Sequence, residues 1–89
     1  MLAIIERSQF RKDVKRLQRA GFNFDKFKQV ILKLSRNEPL HPQFRDHPLK
    51  GSFRSCRECH IAPDWLLIYR KTAQALFLYR TGSHSELFQ

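Results

Sequence analysis

Two stretches of the sequence contain most of the side chains that could take part in proton transfer. The first, Asp46 to Trp65, holds two of the four histidines, both cysteines and the only tryptophan. The second, Arg80 to Phe88, adds an arginine and a further histidine. Imidazoles titrate near neutral pH and serve as general acids and bases, and neighbouring carboxylates orient them. These residue types therefore predict acid–base chemistry, provided that the fold brings the two stretches together.

The most conspicuous pattern in the first stretch, Cys56-Arg57-Glu58-Cys59-His60, has the spacing of a c-type haem attachment site. We expect this segment to be a strand, in which successive side chains alternate between faces, so that the two cysteines point to opposite sides. The same parity excludes a zinc site built from both thiols and His60. One cysteine is expected in the core and the other at a partly exposed position, whereas Glu58 and His60 share a face.

The charge of the chain indicates a polyanionic partner. Its net charge is +9 and its isoelectric point is about 10.3, which suits nucleic acid, an acidic protein or an anionic membrane surface. No segment has the pattern of a signal peptide or of a membrane-spanning helix. We therefore expect a cytoplasmic protein with reduced cysteines, folded as a single domain over residues 1–89.

A basic domain with clustered histidines, Asp64 and Arg80 suits cleavage of RNA without a metal ion. In that reaction a base removes the proton of the 2′-hydroxyl, which attacks the adjacent phosphate, and an acid protonates the departing 5′-oxygen. A cation stabilises the charge of the phosphorane. Simpler interpretations stay open: His60 as a polar strand residue, Arg80 paired with a carboxylate on a neighbouring strand, and His47 as a loop residue. Phe88 either pins the tail to the core or offers a stacking face to a base.

The elements that must position these residues follow from the spacing of apolar side chains and from the turn residues. In chain order, the predicted elements are a strand at 2–6, helices at 8–20 and 23–36, capped by Ser8 and Asn23, an irregular proline-containing segment at 37–51, and strands at 52–61, 65–69 and 75–79. The order β-α-α-β-β-β predicts a small α+β domain. We expect an antiparallel sheet with a two-helix hairpin packed on one face.

Three segments, taken together, resemble the YafQ-type branch of the RelE/ParE toxin superfamily. They are DHPLKG at 46–51, RECHIAPDWLLIY at 57–69 and RTGSHSELF at 80–88, and the likeness in length and element order extends over the chain. The resemblance implies a RelE-like domain and a toxin of a bacterial type II toxin–antitoxin system. It also implies an mRNA endoribonuclease, or mRNA interferase, that acts in the A site of the 30S ribosomal subunit.

By motif position, the resemblance implies roles for individual residues. His84 would be the general acid, Arg80 would stabilise the phosphate, and the base would be supplied or oriented by His60, Asp64 or His47. No metal ion and no cofactor is implied. The catalytic set is His47, His60, Asp64, Arg80 and His84, and the substrate-binding group is Lys50, Arg57, Trp65 and Phe88.

The implied partners are mRNA, the ribosome with its rRNA, and a cognate antitoxin that covers the basic surface, with no membrane or small-molecule partner. A basic stripe on the first helix is a candidate contact, or simply a solvated helix face. Its members are Arg7, Arg11, Lys15 and Arg19. Two other functions stay open: a toxin of the same fold that acts on gyrase, and a basic module that binds RNA or ribosomes without catalysis.

Overall fold

The computed structural model describes residues 1–88 of the chain. In chain order, its elements are β1 (Ala3–Glu6), α1 (Ser8–Arg19), α2 (Asp25–Ser35), β2 (His47–Pro48), β3 (Arg57–Ala62), β4 (Trp65–Lys71), β5 (Ala75–Gly82) and α3 (His84–Leu87). Short 3-10 turns at Pro42–Phe44 and Gly51–Phe53 lie on either side of β2. The predicted α+β class is confirmed, with β2 and α3 as additional short elements. None of the described helices is long and apolar enough to cross a membrane.

The strands form one five-stranded sheet in the order β1-β5-β4-β3-β2. From β2 to β5, each strand is antiparallel to its sheet neighbour, as expected for a meander. β1, however, pairs with β5 in parallel, so the sheet is mixed rather than wholly antiparallel. The parallel pairing is possible because both helices and three strands separate β1 from β5 along the chain.

Both faces of the sheet are covered, because each strand places alternate side chains on opposite sides. The helix-side core joins α1 and α2 to the sheet and includes Phe10, Leu17, Phe27, Val30, Cys59, Trp65, Leu67 and Tyr69. The opposite face packs against α3 through a smaller core of Cys56, Leu66, Ile68 and Leu87. β4 is therefore buried from both sides and is the central strand, as its apolar sequence predicts.

A register shift between β4 and β5 determines where Arg80 lies. Tyr69 is opposite Leu78, whereas the preceding residue, Ile68, is opposite Arg80, so Tyr79 is an extra residue on β5. A bulge of this kind changes the alternation of the side chains that follow it. Because β1 pairs with β5 only as far as Leu78, the edge of β5 at Arg80 is open to α1.

Some local boundaries differ from those predicted. Ser8 is the first residue of α1 and makes no capping hydrogen bond, so its predicted role as a cap is wrong. The side chain of Asn23 does accept a hydrogen bond, at 2.8 Å, from the N–H of Asp25 at the start of α2. The strand predicted at 52–61 begins only at Arg57. The residues before it turn at Gly51, whose φ of +67° suits glycine.

Candidate active site

The pairing of β2 with β3 brings two imidazoles to one carboxylate. His47 is opposite Glu58 in the register, and His60 lies two residues further along β3 on the same face. Nε2 of His47 is 3.2 Å, and Nε2 of His60 3.4 Å, from the same Glu58 oxygen, Oε2. Glu58 is buried, and its Oε1 has no hydrogen-bond partner among the described residues. The predicted shared face of Glu58 and His60 is confirmed.

The other ring nitrogen of His47 defines where its protons lie. Nδ1 is 2.6 Å from the carbonyl oxygen of Arg45. Because a carbonyl only accepts hydrogen bonds, Nδ1 must carry a proton and donate it. Nε2 faces Glu58. Since Nδ1 already carries a proton, Nε2 can donate a hydrogen bond to that carboxylate only in the imidazolium form.

The turn between β3 and β4 carries Asp64, which contacts the start of α3. The backbone N–H of His84 donates to Oδ1 of Asp64 at 3.1 Å, and Nδ1 of the His84 ring is 3.7 Å from the same oxygen. Ser83 and Glu86 form a capping box, in which each side chain accepts the backbone N–H of the other residue. These contacts fix the backbone of His84 and leave 57 % of its side chain exposed.

Three imidazoles and a phenyl ring lie in a row on the sheet face opposite α1 and α2. The ring centroids of His47 and His60 are 6.2 Å apart, and those of His60 and His84 are 5.9 Å apart. Phe88 follows at 5.7 Å from His84 and is nearly perpendicular to Phe53. Since 44 % of Phe88 is exposed, this residue both anchors to Phe53 and keeps surface open for stacking.

Arg80 is paired with a carboxylate, but not with one on a neighbouring strand. Its Nε and Nη2 donate to the two oxygens of Asp13 on α1, at 2.7 and 3.2 Å. Asp13 is fully buried and lies 67 positions away in the sequence. The two-point contact occupies one edge of the guanidinium. Nη1 makes no hydrogen bond among the described residues, and no described contact joins Arg80 to the histidine row.

One family model matches almost the whole chain. Residues 2–89 match the model described as "Bacterial toxin of type II toxin-antitoxin system, YafQ". The chain belongs to the YafQ family. The resemblance carried by the three motif segments is thereby confirmed, and the protein is a toxin of a type II toxin–antitoxin system.

YafQ relatives share sequence and fold with this chain over nearly their full length. The mRNA interferase toxin YafQ of Escherichia coli K12 is 42% identical over 81 residues, which are 90% of this chain and 88% of that protein. A copper-bound mutant toxin from Helicobacter pylori has a TM-score of 0.95 at 48% identity, covering 99% of this chain and 100% of the other. In the E. coli DinJ–YafQ complex, the matching chain has a TM-score of 0.92 at 39% identity, covering 100% of both chains.

Trp65 lies in the core on the helix side of the sheet of this YafQ-family protein. Its ring stacks on Phe27, and its Nε1–H donates to Thr81 at 2.8 Å. The role of Trp65 in substrate binding stays a prediction. Lys50 is exposed before the second 3-10 turn, and its role stays a prediction.

Arg57 lies on the helix side of the sheet, opposite to the face that carries the histidine row. It alternates with Glu58 along β3 and is opposite Tyr69, which belongs to the helix-side core. Its guanidinium donates to both oxygens of Asp46 at 3.3 Å, and the hydroxyl of Tyr69 donates to Asp46 at 2.5 Å. Burial and this hydrogen bond raise the pKa of Tyr69. This pairing fixes the chain before β2, and the assignment of Arg57 to substrate binding stays a prediction.

The cysteines occupy separate cores on opposite sides of the sheet. Cys59 belongs to the helix-side core and Cys56 to the core beneath α3, which confirms the parity argument against haem and a two-thiol zinc site. Both thiols are buried, so the expectation of one partly exposed cysteine is wrong. Burial raises the pKa of Cys59 to about 12. Neither thiol is placed to act in catalysis.

Glu58 is the site residue that the sequence-based set omitted. Strand parity predicted that Glu58 shares a face with His60. Its contact with His47 could not be predicted, because it requires the pairing of β2, a strand of 2 residues that no periodicity reveals. A cavity of about 350 Å³ opens beside His60 and is lined in part by Lys26, Gln43 and Arg45. The charge of this lining suits a polyanionic substrate.

His47, Glu58 and His60 also form a set of donors that fits a transition-metal ion. One donor atom from each lies within 4.8 Å of the others. Two imidazoles and a carboxylate are ligands that Zn²⁺ and Cu²⁺ accept, and the unpartnered Oε1 of Glu58 leaves coordination capacity free. Solved H. pylori toxins of this fold are described as copper-bound and metal-bound. The expectation that this chain needs no metal stays a prediction.

Proposed function

We propose that this YafQ-family toxin is an endoribonuclease that cleaves mRNA on the ribosome by imidazole acid–base catalysis, without a catalytic metal ion. One observation carries the proposal: the rings of His60 and His84 lie 5.9 Å apart at one surface. Each ring is beside a different carboxylate, Glu58 or Asp64. A phosphodiester held between the rings is within reach of one imidazole on each side. The name mRNA interferase of the E. coli relative supports the choice of substrate.

On the acid side, His84 donates a proton to the 5′-oxygen that leaves the phosphorus. Its exposed ring projects from the first residue of α3, and Asp64 holds that residue through its backbone N–H. Protonating the leaving oxygen avoids the release of an alkoxide, which is the usual contribution of a general acid. Asp64 is therefore assigned to the general acid, which leaves His60 and His47 as the candidates for the general base.

On the base side, His60 accepts the proton of the 2′-hydroxyl. It is the imidazole that lies between His47 and His84 in the row. Glu58 Oε2, at 3.4 Å from Nε2 of His60, stabilises the imidazolium that forms. His47 contacts the same oxygen and so orients the Glu58 carboxylate. The base is thus a unit of two rings around one buried carboxylate.

The phosphate itself is bound by Arg80. Attack of the 2′-oxygen makes a bond to phosphorus, and loss of the 5′-oxygen breaks one, so the products are a 2′,3′-cyclic phosphate and a 5′-hydroxyl. The phosphorane between them carries additional negative charge, which the free edge of the Arg80 guanidinium stabilises. Phe88, half-exposed beside His84, stacks on a base next to the cleaved bond.

The surface charge of the domain supports binding to rRNA and to an antitoxin. Arg11, Lys15 and Arg19 are exposed along α1, and Arg7 is exposed at the residue before it. Basic side chains of this kind neutralise phosphates and release counterions, so ribosome binding should weaken as salt rises. The E. coli relative is found in complex with the antitoxin DinJ. By the same charge argument, we expect the cognate antitoxin to present an acidic segment to this domain.

The test uses purified toxin, ribosomes programmed with a defined mRNA, and Mg²⁺ held constant. Cleavage should yield the cyclic-phosphate and 5′-hydroxyl ends, and a 2′-deoxy substitution at the cleaved nucleotide should abolish it. A chelator selective for transition metals should not slow the reaction. His84→Ala should lose about 10²–10⁴-fold in rate, whereas His41→Ala, in a loop outside the row, should be unaffected.

Three results would contradict the proposal. If His84→Ala cleaves at the wild-type rate, the assignment of the acid is wrong. DNA damage without mRNA cleavage on induction would instead favour a toxin that acts on gyrase. Salt-sensitive ribosome binding without any cleavage, unaffected by loss of any single histidine, would favour a non-catalytic binding module.

A further inference from the structure

Asp13 is a buried carboxylate that no step of the proposed reaction uses. It lies in the middle of α1, with 0% of its surface exposed. The open edge of β5 donates the N–H of Thr81 to it at 3.1 Å. Arg80 donates two further hydrogen bonds, and Arg16 a third at 2.8 Å. A buried charge is tolerated only when it is paired and hydrogen-bonded to this extent, so the site around Asp13 is constructed for an ionised carboxylate.

The charge state of Asp13 follows from these contacts. Burial acts to raise its pKa, but hydrogen bonds from Arg80 and Arg16 outweigh that effect, and the pKa is lowered from the ordinary value of 3.8. Two guanidinium groups share this carboxylate, and one of them, that of Arg16, also pairs with Glu86. One of those guanidinium groups, that of Arg80, is the proposed ligand of the scissile phosphate.

We propose that Asp13 is a positioning residue, which fixes the guanidinium of Arg80 so that its free edge meets the scissile phosphate. The inference rests on the proposed function, in which Arg80 binds that phosphate. An arginine side chain loses about 2 kcal/mol of rotamer entropy when it is immobilised. Because the two-point contact with Asp13 orders Arg80 before substrate arrives, this loss does not oppose formation of the transition state.

The same carboxylate is connected to the helix that carries the general acid. Arg16, beside Asp13, also pairs through Nε with Glu86 at 2.9 Å and donates to the carbonyl of Thr81 at 3.1 Å. Glu86 belongs to the capping box at the start of α3. Asp13 and Arg16 therefore attach both the phosphate-binding arginine and the N-terminal end of α3 to α1. This geometry predicts that α1 aligns the two groups relative to each other.

The experiment compares Asp13→Asn with wild type under single-turnover conditions on programmed ribosomes. Asparagine has nearly the same shape but no charge, so Arg80 loses its ionic partner. We expect the cleavage rate constant to fall by about 100-fold, while the affinity for the ribosome stays unchanged. Asp25→Asn, which removes an exposed carboxylate from α2, is the matched control and should behave as wild type.

A second comparison separates positioning from general loss of structure. In an Arg80→Ala background, Asp13→Asn should cause a much smaller loss of rate than in the wild type, because the greater part of its effect passes through Arg80. Losses that multiply would overturn the inference, and so would a fully active Asp13→Asn beside an inactive Arg80→Ala. A fully active Arg80→Ala is a different result, since it removes the role of Arg80 from the proposed function and with it the basis of this inference.

The inference can also be tested without any variant. In the free wild-type toxin, the Nε–H of Arg80 should give a resolved NMR signal that is protected from hydrogen exchange, because it is held at 2.7 Å from a buried oxygen. Exposed arginines such as Arg19 should show no protection. If the Arg80 signal exchanges as fast as these, Asp13 does not fix the guanidinium and the inference is wrong. This measurement decides the question even if Asp13→Asn fails to fold.

Discussion

Glu58 meets His60 at a single carboxylate oxygen, Oε2, 3.4 Å from Nε2 of the imidazole, and the same oxygen also serves His47. The other oxygen, Oε1, is buried without a partner in the described part of the chain. One buried carboxylate is thus shared by two rings that both face the substrate side of the sheet. Its charge stabilises whichever ring is protonated, and this relationship makes Glu58 the centre of the proposed base.

We expect Glu58→Gln to reduce cleavage by about 100-fold while leaving the fold intact. Glutamine fills the same space but cannot stabilise an imidazolium on His60. The rate is measured with ribosomes and a defined mRNA, and folding by thermal unfolding. Glu38→Gln, at an exposed position, is the control. Wild-type cleavage by Glu58→Gln would show that the carboxylate has no part in the reaction.

Zn²⁺ or Cu²⁺ should inhibit the toxin reversibly. An ion held by His47, Glu58 and His60 would bind both imidazoles and the carboxylate of the proposed base and so prevent it from acting. A transition-metal chelator should restore activity, with Mg²⁺ kept constant for the ribosome. Calorimetry with the free toxin should show binding that weakens in His47→Ala. Equal metal affinity in that variant would place the ion elsewhere on the protein.

Gly82→Ala should destabilise the protein by about 1–3 kcal/mol and weaken cleavage. Gly82 has a φ of +153°, and an added Cβ would lie 2.7 Å from both Nη2 of Arg16 and Oε1 of Glu86. The substitution therefore disturbs the contact between α1 and α3 as well as the backbone. Gly21→Ala is the matched control, because Gly21 also has a positive φ but an added Cβ there would meet no atom within 4 Å. It should cost stability without affecting cleavage, and equal effects on cleavage would contradict this interpretation.

Cys59 should resist alkylation by iodoacetamide at pH 8 in the folded protein. Burial raises the pKa of its thiol to about 12, and only the thiolate reacts. Mass spectrometry should show modification only after unfolding. Cys59→Ala should keep its cleavage activity, since the residue faces the helix-side core. Rapid native labelling, or loss of activity in a stably folded Cys59→Ala, would contradict the assignment of Cys59 to the core.

Sequence reasoning was most successful where one element determines the result. Strand parity alone placed Glu58 and His60 on one face and separated Cys56 from Cys59, because alternation is a local property of the extended backbone. The apolar run from Trp65 predicted a central strand for the same reason. What parity could not provide was the partner of each side chain across the sheet. The pairing of His47 with Glu58 therefore emerged only from the register of a very short strand.

The contacts of Arg80 show a second limit of the same kind. Its partner, Asp13, lies 67 positions away in the sequence and on a helix rather than on a neighbouring strand. An apolar helix face interrupted by one aspartate gives no sign of which cation it will meet. The bulge at Tyr79 adds to the difficulty, because an extra residue changes which side chains face α1. For Trp65, the residue type alone does not separate the two roles, since aromatic rings suit stacking on bases and packing in cores equally well.

The burial of β4 from both sides has a consequence for motion. A strand covered on both faces is shielded from solvent, so we expect the amide groups of β4 to be among the slowest to exchange, with those of its neighbours β3 and β5 close behind. His60 is built into that slowly exchanging framework. His84, in contrast, belongs to a helix of 4 residues held by a few side-chain contacts. We therefore expect the ring of His84, the proposed acid, to be more mobile than the ring of His60, the proposed base, although Asp64 holds the backbone of His84.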